Sequence, residues 1–525
     1  MQAPPPRPRT RSQAAVDRLL GALLATLLVG SALAFGGATW WAPPALAALT
    51  TLAVAAGLLR AWLGGGCEIP RSPLIVLGAL AIGLAVVQLA PLPARLAERL
   101  SPRARALYAV GALPDRVLAD DPTAPLPEPA ASRSPATVDR PATLRWLAGA
   151  IVCLALFAVA ARYADRLGHA LVIWGSLVTA FGLTTALALV QLAGGSATLF
   201  GLVDPGRGPS WGPSMADLAT IPNTTALRVV APPATLRTSW ALAVPDRPYH
   251  LGTLMGGPGA YLALGTLAIP LAFGLALQLL APRGSRLGLR DRLRESGQGG
   301  LVILLLAVTV AGSALCGALG GWSWALPLMA ALFVAGLPGA WASGLRWGAV
   351  ALTATALITV GVGVVAGDRL GPPEPGRPLE ARADGAMVRS ARRIAARVAR
   401  DFPIVGAGLG TFPTIAPYFK TTDQAPTTAH STALRWAAES GAAGLALLAL
   451  AALWCLVRLP GALRRVGTAD RHLALGVVGA AAGFLASSAL HWTAELPATC
   501  LAACAFAGTC DRWLAGGTDL FVERD

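Results

Sequence analysis

The sequence predicts an all-α integral membrane protein with about twelve transmembrane helices. Three observations carry this. Of its 525 residues, 55% are hydrophobic and 13% charged, about half the charged fraction of a soluble chain. The apolar residues fall in blocks of roughly twenty, the length that carries a helix across the hydrocarbon core. Short connections on one side of the alternating spans gather arginines, as the positive-inside rule requires.

In order, residues 1–18 form an N-terminal tail, in which the Pro- and Arg-rich Met1–Gln13 reads as disordered. Arg7, Arg9, Arg11 and Arg18 precede the first apolar run and place that end in the cytoplasm. No small-residue cleavage site follows, so Leu19–Phe35 reads as a retained span. Further spans are Ala42–Leu63, Leu74–Leu89, Leu144–Ala161, Ala170–Leu192, Gly259–Leu280 and Leu301–Leu319. Ala325–Trp341, Ala349–Ala366, Ala438–Val457, Leu473–Leu490 and Pro497–Leu514 complete the set.

The N-terminal spans thus occupy 19–192 and enclose a loop at about 91–141. A second loop covers 193–258, central spans 259–366, a large third loop 367–435, and the last spans with a cytoplasmic tail 436–525. Cytoplasmic connections then hold Arg60 and Arg71, Arg162 and Arg166, the group Arg283, Arg286, Arg290, Arg292 and Arg294, and finally Arg458, Arg464, Arg465 and Arg471. Shifting the register by one span loses this pattern. The same alternation puts all three long loops on the outer side, and the arginines in the first do not oppose this, because long loops translocate regardless of charge. Neither ATP nor a nucleotide sugar is available there.

The net charge of +15 comes almost wholly from arginine, Lys420 being the only lysine. These arginines are spread over the loops between spans and not gathered on one soluble domain, which argues against a nucleic-acid partner. Membrane lipids are the general partner. Among seven cysteines, Cys153, Cys316, Cys455, Cys500 and Cys504 lie in apolar runs, where Cys behaves as a small hydrophobe. Cys500 and Cys504 share a helix face, yet no His or carboxylate completes a metal-ligand set beside them. No metal and no cofactor are expected.

The informative stretch is Arg389–Gly444. Residues 384–400 predict an amphipathic helix, with Arg389, Arg393, Arg397 and Arg400 inside about a quarter of its circumference. Met387, Ala391, Ile394 and Val398 take the opposite side, so the helix is expected to lie along the bilayer interface, apolar side down. The guanidinium row either adheres to anionic lipid or clamps a diphosphate, whose oxygens it matches bidentately. Gly406, Gly408 and Gly410 follow a helix and Pro403 with no preceding strand, so they do not form a dinucleotide loop. They read as a tight re-entrant turn. His430 precedes Ser431, a good helix N-cap. The positive end of that helix disfavours imidazolium and leaves a neutral ring able to accept a proton. The plainer alternative is a polar histidine hydrogen-bonded at a loop–helix junction. Glu439 faces the other side of the helix, so its partner is expected on an arginine or a neighbouring span.

Pro403-Ile404-Val405-Gly406-Ala407-Gly408-Leu409-Gly410-Thr411-Phe412, Ala429-His430-Ser431, and Glu439-Ser440-Gly441 with Gly444 resemble the signature of the O-antigen ligase and O-antigen polymerase superfamily. Its usual His-Asn is here His430-Ser431. Gly252–Leu262 is similar, more weakly, to a Gly-Thr-Phe-x-Asn segment of that family, without its asparagine. The resemblance implies a bacterial inner-membrane glycosyltransferase with a periplasmic active site. A polyprenyl-diphosphate-linked glycan would be the donor, and lipid A–core, another glycan or a protein hydroxyl the acceptor. It also implies catalytic roles for His430 as base and for Arg389, one position out of the family register, with Arg392 and Arg393 as alternatives on the diphosphate. The family carries a further functional arginine in the second loop, where Arg247 is favoured over Arg228 and Arg237. Trp211, Trp240 and Tyr418 are candidates for stacking on sugars or for anchoring at the membrane interface, the commoner role. With diphosphate as leaving group and no Asp-x-Asp pair, transfer is expected to be inverting and independent of metal and ATP.

A polymerase of the same superfamily, elongating O-antigen or exopolysaccharide, is the nearest alternative. A transporter or lipid flippase is the alternative of another class. It predicts ionisable groups buried mid-span and symmetric halves, whereas these spans are nearly free of ionisable residues and show no convincing repeat.

Overall fold

The computed structural model describes residues 11–34, 42–64, 72–104, 133–194, 250–251, 254–255, 258–280, 298–342, 346–369, 385–419, 428–467, 470–491 and 497–516. The described chain is helical almost throughout. Its helices are α1 (Arg11–Leu33), α2 (Ala42–Leu63), α3 (Pro73–Leu89), the short α4 (Ala94–Leu100), α5 (Arg140–Tyr163) and α6 (Leu167–Gly194). There follow α7 (Pro258–Leu280), α8 (Gly299–Ala342), α9 (Arg346–Arg369), α10 (Gly385–Asp401), α11 (Thr432–Arg464), α12 (Arg471–Leu490) and α13 (Pro497–Leu514). Two-residue strands form two small hairpins, β1 (Leu92–Pro93) with β2 (Arg133–Ser134), and β3 (His250–Leu251) with β4 (Leu254–Met255). Among the described residues eight helices are long and apolar enough to cross a bilayer, and Pro73–Leu89, Trp322–Gly336 and Val350–Val365 are shorter apolar helices. The chain is therefore of the all-α, multi-pass membrane type.

The described part of helix α1 already runs ahead of the apolar run at Leu19, and tertiary contacts hold these turns: Gln13 Nε2 donates to Leu63 O at 2.7 Å. Arg60 joins Asp17 at 2.5 Å and Asp165 at 2.6 Å, and Arg166 reaches Asp17 at 3.4 Å. The start of α1, the end of α2, the end of α5 and the start of α6 thus share one end of the bundle. Ser72 Oγ and Asp511 Oδ1, 2.6 Å apart, bring the start of α3 and the end of α13 together in the same way.

The centre is α7, buried along nearly its whole length. A Cβ added to Gly274 would come within 2.7 Å of the Gly476 Cα, so α7 and α12 cross backbone to backbone. Such small-residue crossings replace the hydrophobic driving force that lipid cannot supply. On α11, by contrast, Leu448, Leu453 and Leu456 are exposed, as lipid-facing side chains are.

Segment α8 is assigned as one helix of 44 residues, yet it is not straight. Gly312 faces Ile269 and Gly336 faces Phe273: a Cβ added at each would meet those side chains at 3.4 and 3.0 Å. A straight helix would set Gly312 and Gly336 about 36 Å apart, while Ile269 and Phe273 are one turn apart on α7. The segment therefore folds back on itself, near Gly320-Gly321. Its two halves, Gly299–Leu319 and Trp322–Gly336, correspond to the two separate spans that the sequence predicts.

Candidate active site

Three elements meet at the end of the bundle opposite the Asp17–Arg60 cluster: α10, the glycine turn after it, and the start of α11. On α10, Arg389, Arg393, Arg397 and Arg400 are exposed, while Ala391, Ile394, Ala395 and Val398 are buried. This is the two-sided helix that the periodicity predicts. Its apolar side, however, does not face lipid. It packs with Phe402, Ala407, Phe412, Ile415, Ala416, Ala429 and Ala438 in a small core of its own. The expectation of a helix laid apolar side down on the bilayer is corrected accordingly: the glycine turn and α11 supply enough apolar surface to bury that face within the protein.

The glycine turn exists to mend a break in α11. Gly441, at φ 61° and ψ −156°, interrupts that helix. The carbonyls of Ala438 and Glu439 thereby lose their normal donors, and the N–H groups of Ala442 and Ala443 lose their acceptors. The turn replaces all four. Ala407 N donates to Ala438 O at 2.9 Å and Gly408 N to Glu439 O at 3.1 Å. Ala442 N donates to Pro403 O at 2.8 Å and Ala443 N to Ile404 O at 3.1 Å. Backbone away from water must be paired in this way. The close approach needs glycine: Gly406 has φ 76°, and a Cβ there would lie 2.2 Å from the carbonyl carbon of Glu439. Gly408 and Gly410 also have positive φ, so the turn is tight as predicted, and what it approaches is the backbone of α11.

Two side chains complete the junction. Gln88 of α3, fully buried, donates from Nε2 to Val405 O (2.6 Å) and Glu439 O (2.9 Å), and its Oε1 accepts from Leu409 N (3.0 Å). Glu439 accepts from Gly410 N (2.8 Å), Phe412 N (2.9 Å) and Arg435 Nε (2.9 Å). Its arginine partner is thus Arg435, one turn back on α11. Glu439 is wholly engaged in holding the turn.

His430 lies at the mouth of this unit, half-buried, at φ 49°, a value rare outside glycine. Ser431 caps α11 by accepting from Leu434 N at 3.2 Å, as predicted, and its hydroxyl donates to Ala489 O at 2.8 Å. Thr432 donates from N and Oγ1 to His491 O, at 2.9 and 3.0 Å. These bonds stitch the start of α11 to the end of α12. Into that seam comes Arg392, whose Nη2 donates to Leu490 O and to His430 O, the latter at 3.4 Å. Among the described residues, the buried Arg392 Nε has no hydrogen-bond partner. Burial, then the Arg392 charge, pushes the His430 pKa down to about 4. The ring is neutral at neutral pH, the state that the helix-end argument anticipates.

His491 is the residue that sequence reasoning passes over. Its ring stacks on Trp324, centroids 3.9 Å apart and planes 12° from parallel. Its Nε2 lies 3.2 Å from Ser323 O; a carbonyl only accepts, so Nε2 carries the proton and Nδ1 is the open acceptor. Burial is the first cause that lowers its pKa, to about 4; Arg392 and His430 add to it and the Ser323 bond opposes it. The only available signal was its place at the outer end of a predicted span.

Of the arginines proposed from sequence, Arg392 is the one brought against His430. Arg389 and Arg393 sit on the exposed row, where Arg393 Nε reaches only the Arg389 carbonyl at 3.4 Å. Arg247, with Arg228, Arg237, Trp211 and Trp240, lies outside the described residues. Tyr418 is 72% exposed. The assembly pairs a neutral proton acceptor with a guanidinium that has an unused donor, at one end of a membrane bundle. No protein-family model and no curated protein matches the chain.

Proposed function

We propose that the protein is a periplasm-facing glycosyltransferase of the bacterial inner membrane, moving a glycan from a polyprenyl-diphosphate carrier to an acceptor hydroxyl. The observation that carries this reading is the pairing of the neutral His430 imidazole with the half-buried Arg392 guanidinium. Twelve spans are part of the proposal: the eight long apolar helices, the three shorter ones and Pro497–Leu514. The arginines at the Asp17–Arg60 end then face the cytoplasm, and His430 the periplasm.

In this reading the acceptor O–H gives its proton to His430 as its oxygen attacks the anomeric carbon. The bond from that carbon to the diphosphate oxygen breaks, and the departing charge develops beside Arg392. Arg389 and Arg393 remain available to the lipid diphosphate as it approaches. Direct displacement inverts the anomeric centre. The energy resides in the sugar–diphosphate bond, so neither ATP nor a metal is required.

The test is transfer in reconstituted membranes from a lipid-diphosphate oligosaccharide, with EDTA and without ATP. Separate arms offer lipid A–core, a second repeat unit and a protein acceptor, which also distinguishes ligase from polymerase. Transfer should persist in the parent and fall at least about a hundredfold in His430→Ala. Full activity in His430→Ala would return that residue to a structural junction. No transfer to any acceptor would favour transport.

A further inference from the structure

The bundle holds a thiol cluster that the proposed chemistry does not use. Cys153 of α5 and Cys500 and Cys504 of α13 have sulfur atoms all within 4.8 Å of one another. The Cys153 and Cys500 Sγ atoms are 3.4 Å apart, across 347 residues of sequence. Cys500 and Cys504 are one turn apart on α13, and both face Cys153. The two helices approach closely here, since a Cβ added to Gly508 would lie 2.5 Å from Phe157 O. None of the three cysteines is fully buried.

Three soft ligands suggest a thiophilic metal or a disulfide, and charge decides between them. Three thiolates leave two negative charges around a monovalent ion, or one around a divalent ion, among apolar side chains, and each buried charge costs several kcal/mol. A disulfide is neutral. We propose that Cys153 and Cys500 form a disulfide tying α5 to α13, with Cys504 as the alternate partner of Cys153. The sulfurs need close only to about 2.0 Å, a movement within reach of side-chain rotation. Cys500 sits in the first turn of α13, at the end that the arginine pattern assigns to the oxidising compartment.

The oxidant is an external protein or small-molecule disulfide. One cysteine thiolate attacks it, forming a mixed disulfide and releasing one thiol. The second cysteine thiolate then attacks the mixed disulfide and releases the other thiol. The two cysteines lose two protons and two electrons, which the external disulfide gains. The inference depends on the orientation of the bundle and not on glycan transfer.

Membranes are dissolved directly in SDS containing N-ethylmaleimide, reduced, labelled with isotopically heavy maleimide, digested and analysed by mass spectrometry. Heavy label is expected on Cys153 and on Cys500 or Cys504, with a linked Cys153–Cys500 peptide before reduction. Cys316, buried elsewhere, should carry light label. Cys153→Ser should abolish heavy label on α13, while Cys504→Ser should leave it on Cys153 and Cys500. Light label on all three cysteines overturns the disulfide, as does heavy label retained at Cys500 in Cys153→Ser. Stoichiometric copper or zinc with three light-labelled cysteines overturns it in favour of a metal centre.

Discussion

The carboxylate of Glu439 accepts the backbone N–H of Gly410 at 2.8 Å, and so joins the broken helix to the turn that mends it. The same carboxylate binds Phe412 N and Arg435 Nε, each at 2.9 Å. Glu439→Ala should therefore leave a buried guanidinium and two buried N–H groups without their acceptor. The loss is about 3–5 kcal/mol, the range for removing one member of a buried pair. An isolated buried pair is often replaced by apolar residues at no cost. Here Arg435→Met with Glu439→Leu should remain destabilised by about 1–3 kcal/mol for each abandoned N–H. Thermal unfolding of the detergent-solubilised variants measures both. A double variant as stable as the parent would mean that the turn does not depend on the carboxylate.

Glycine requirements should differ sharply along one helix system. Gly406→Ala places a Cβ 2.2 Å from backbone at φ 76°, and should unfold the site or lower the melting temperature by many degrees. Gly461→Ala, with nothing within 4 Å, should be neutral or stabilising by up to about 1 kcal/mol, as helix propensity dictates. Equal effects at the two positions would contradict the close approach of turn and helix.

What could be read from sequence was local. The arginine row of α10, the Ser431 cap and the glycine turn each follow from spacing within a few residues, because helical period and backbone dihedral are local properties. The burial of the apolar side of α10 was not legible, since Phe412, Ala429 and Ala438 reach it only through the tertiary fold. The role of Gln88 was not legible either, since its three bonds reach partners more than 300 positions away. The choice of Arg392 over Arg389 depends likewise on where Leu490 and His491 arrive, which helical periodicity does not encode. The two arginines differ in which side of α10 they occupy, and only packing tells which side faces His430.

The two histidines give stability a definite pH dependence. Both have folded-state pKa values near 4, below the ordinary value of about 6.5. Between those values the unfolded chain binds protons that the folded chain refuses, so stability falls as pH drops from about 6.5 to about 4. The penalty is on the order of 3 kcal/mol per histidine at the low end, since each unit is worth about 1.4 kcal/mol. Melting curves at pH 7.5, 6 and 5 should show this decline, and His491→Gln should flatten it. A profile flat over that range in the parent would mean that the rings are solvated. For transfer activity, the base remains unprotonated down to about pH 5, and Arg392→Ala should move the acid limb upward by removing a neighbouring positive charge.

The folded-back α8 can be tested by labelling from one side. In a cysteine-free background, Trp322→Cys lies at the turn, where Trp322 is 51% exposed, and Tyr418→Cys lies in the segment carrying the site. If α8 turns near Gly320-Gly321, a membrane-impermeant maleimide should reach both positions from the same side of sealed vesicles. Arg458→Cys, at the opposite end of α11, should label only after the vesicles are opened. A continuous rod would instead carry its Gly299 and Ala342 ends about 65 Å apart, so no single span of bilayer could contain it. Labelling of Trp322→Cys from the side that reaches Arg458→Cys, with Tyr418→Cys protected, would place the turn at the wrong end and separate Ser323 from His491.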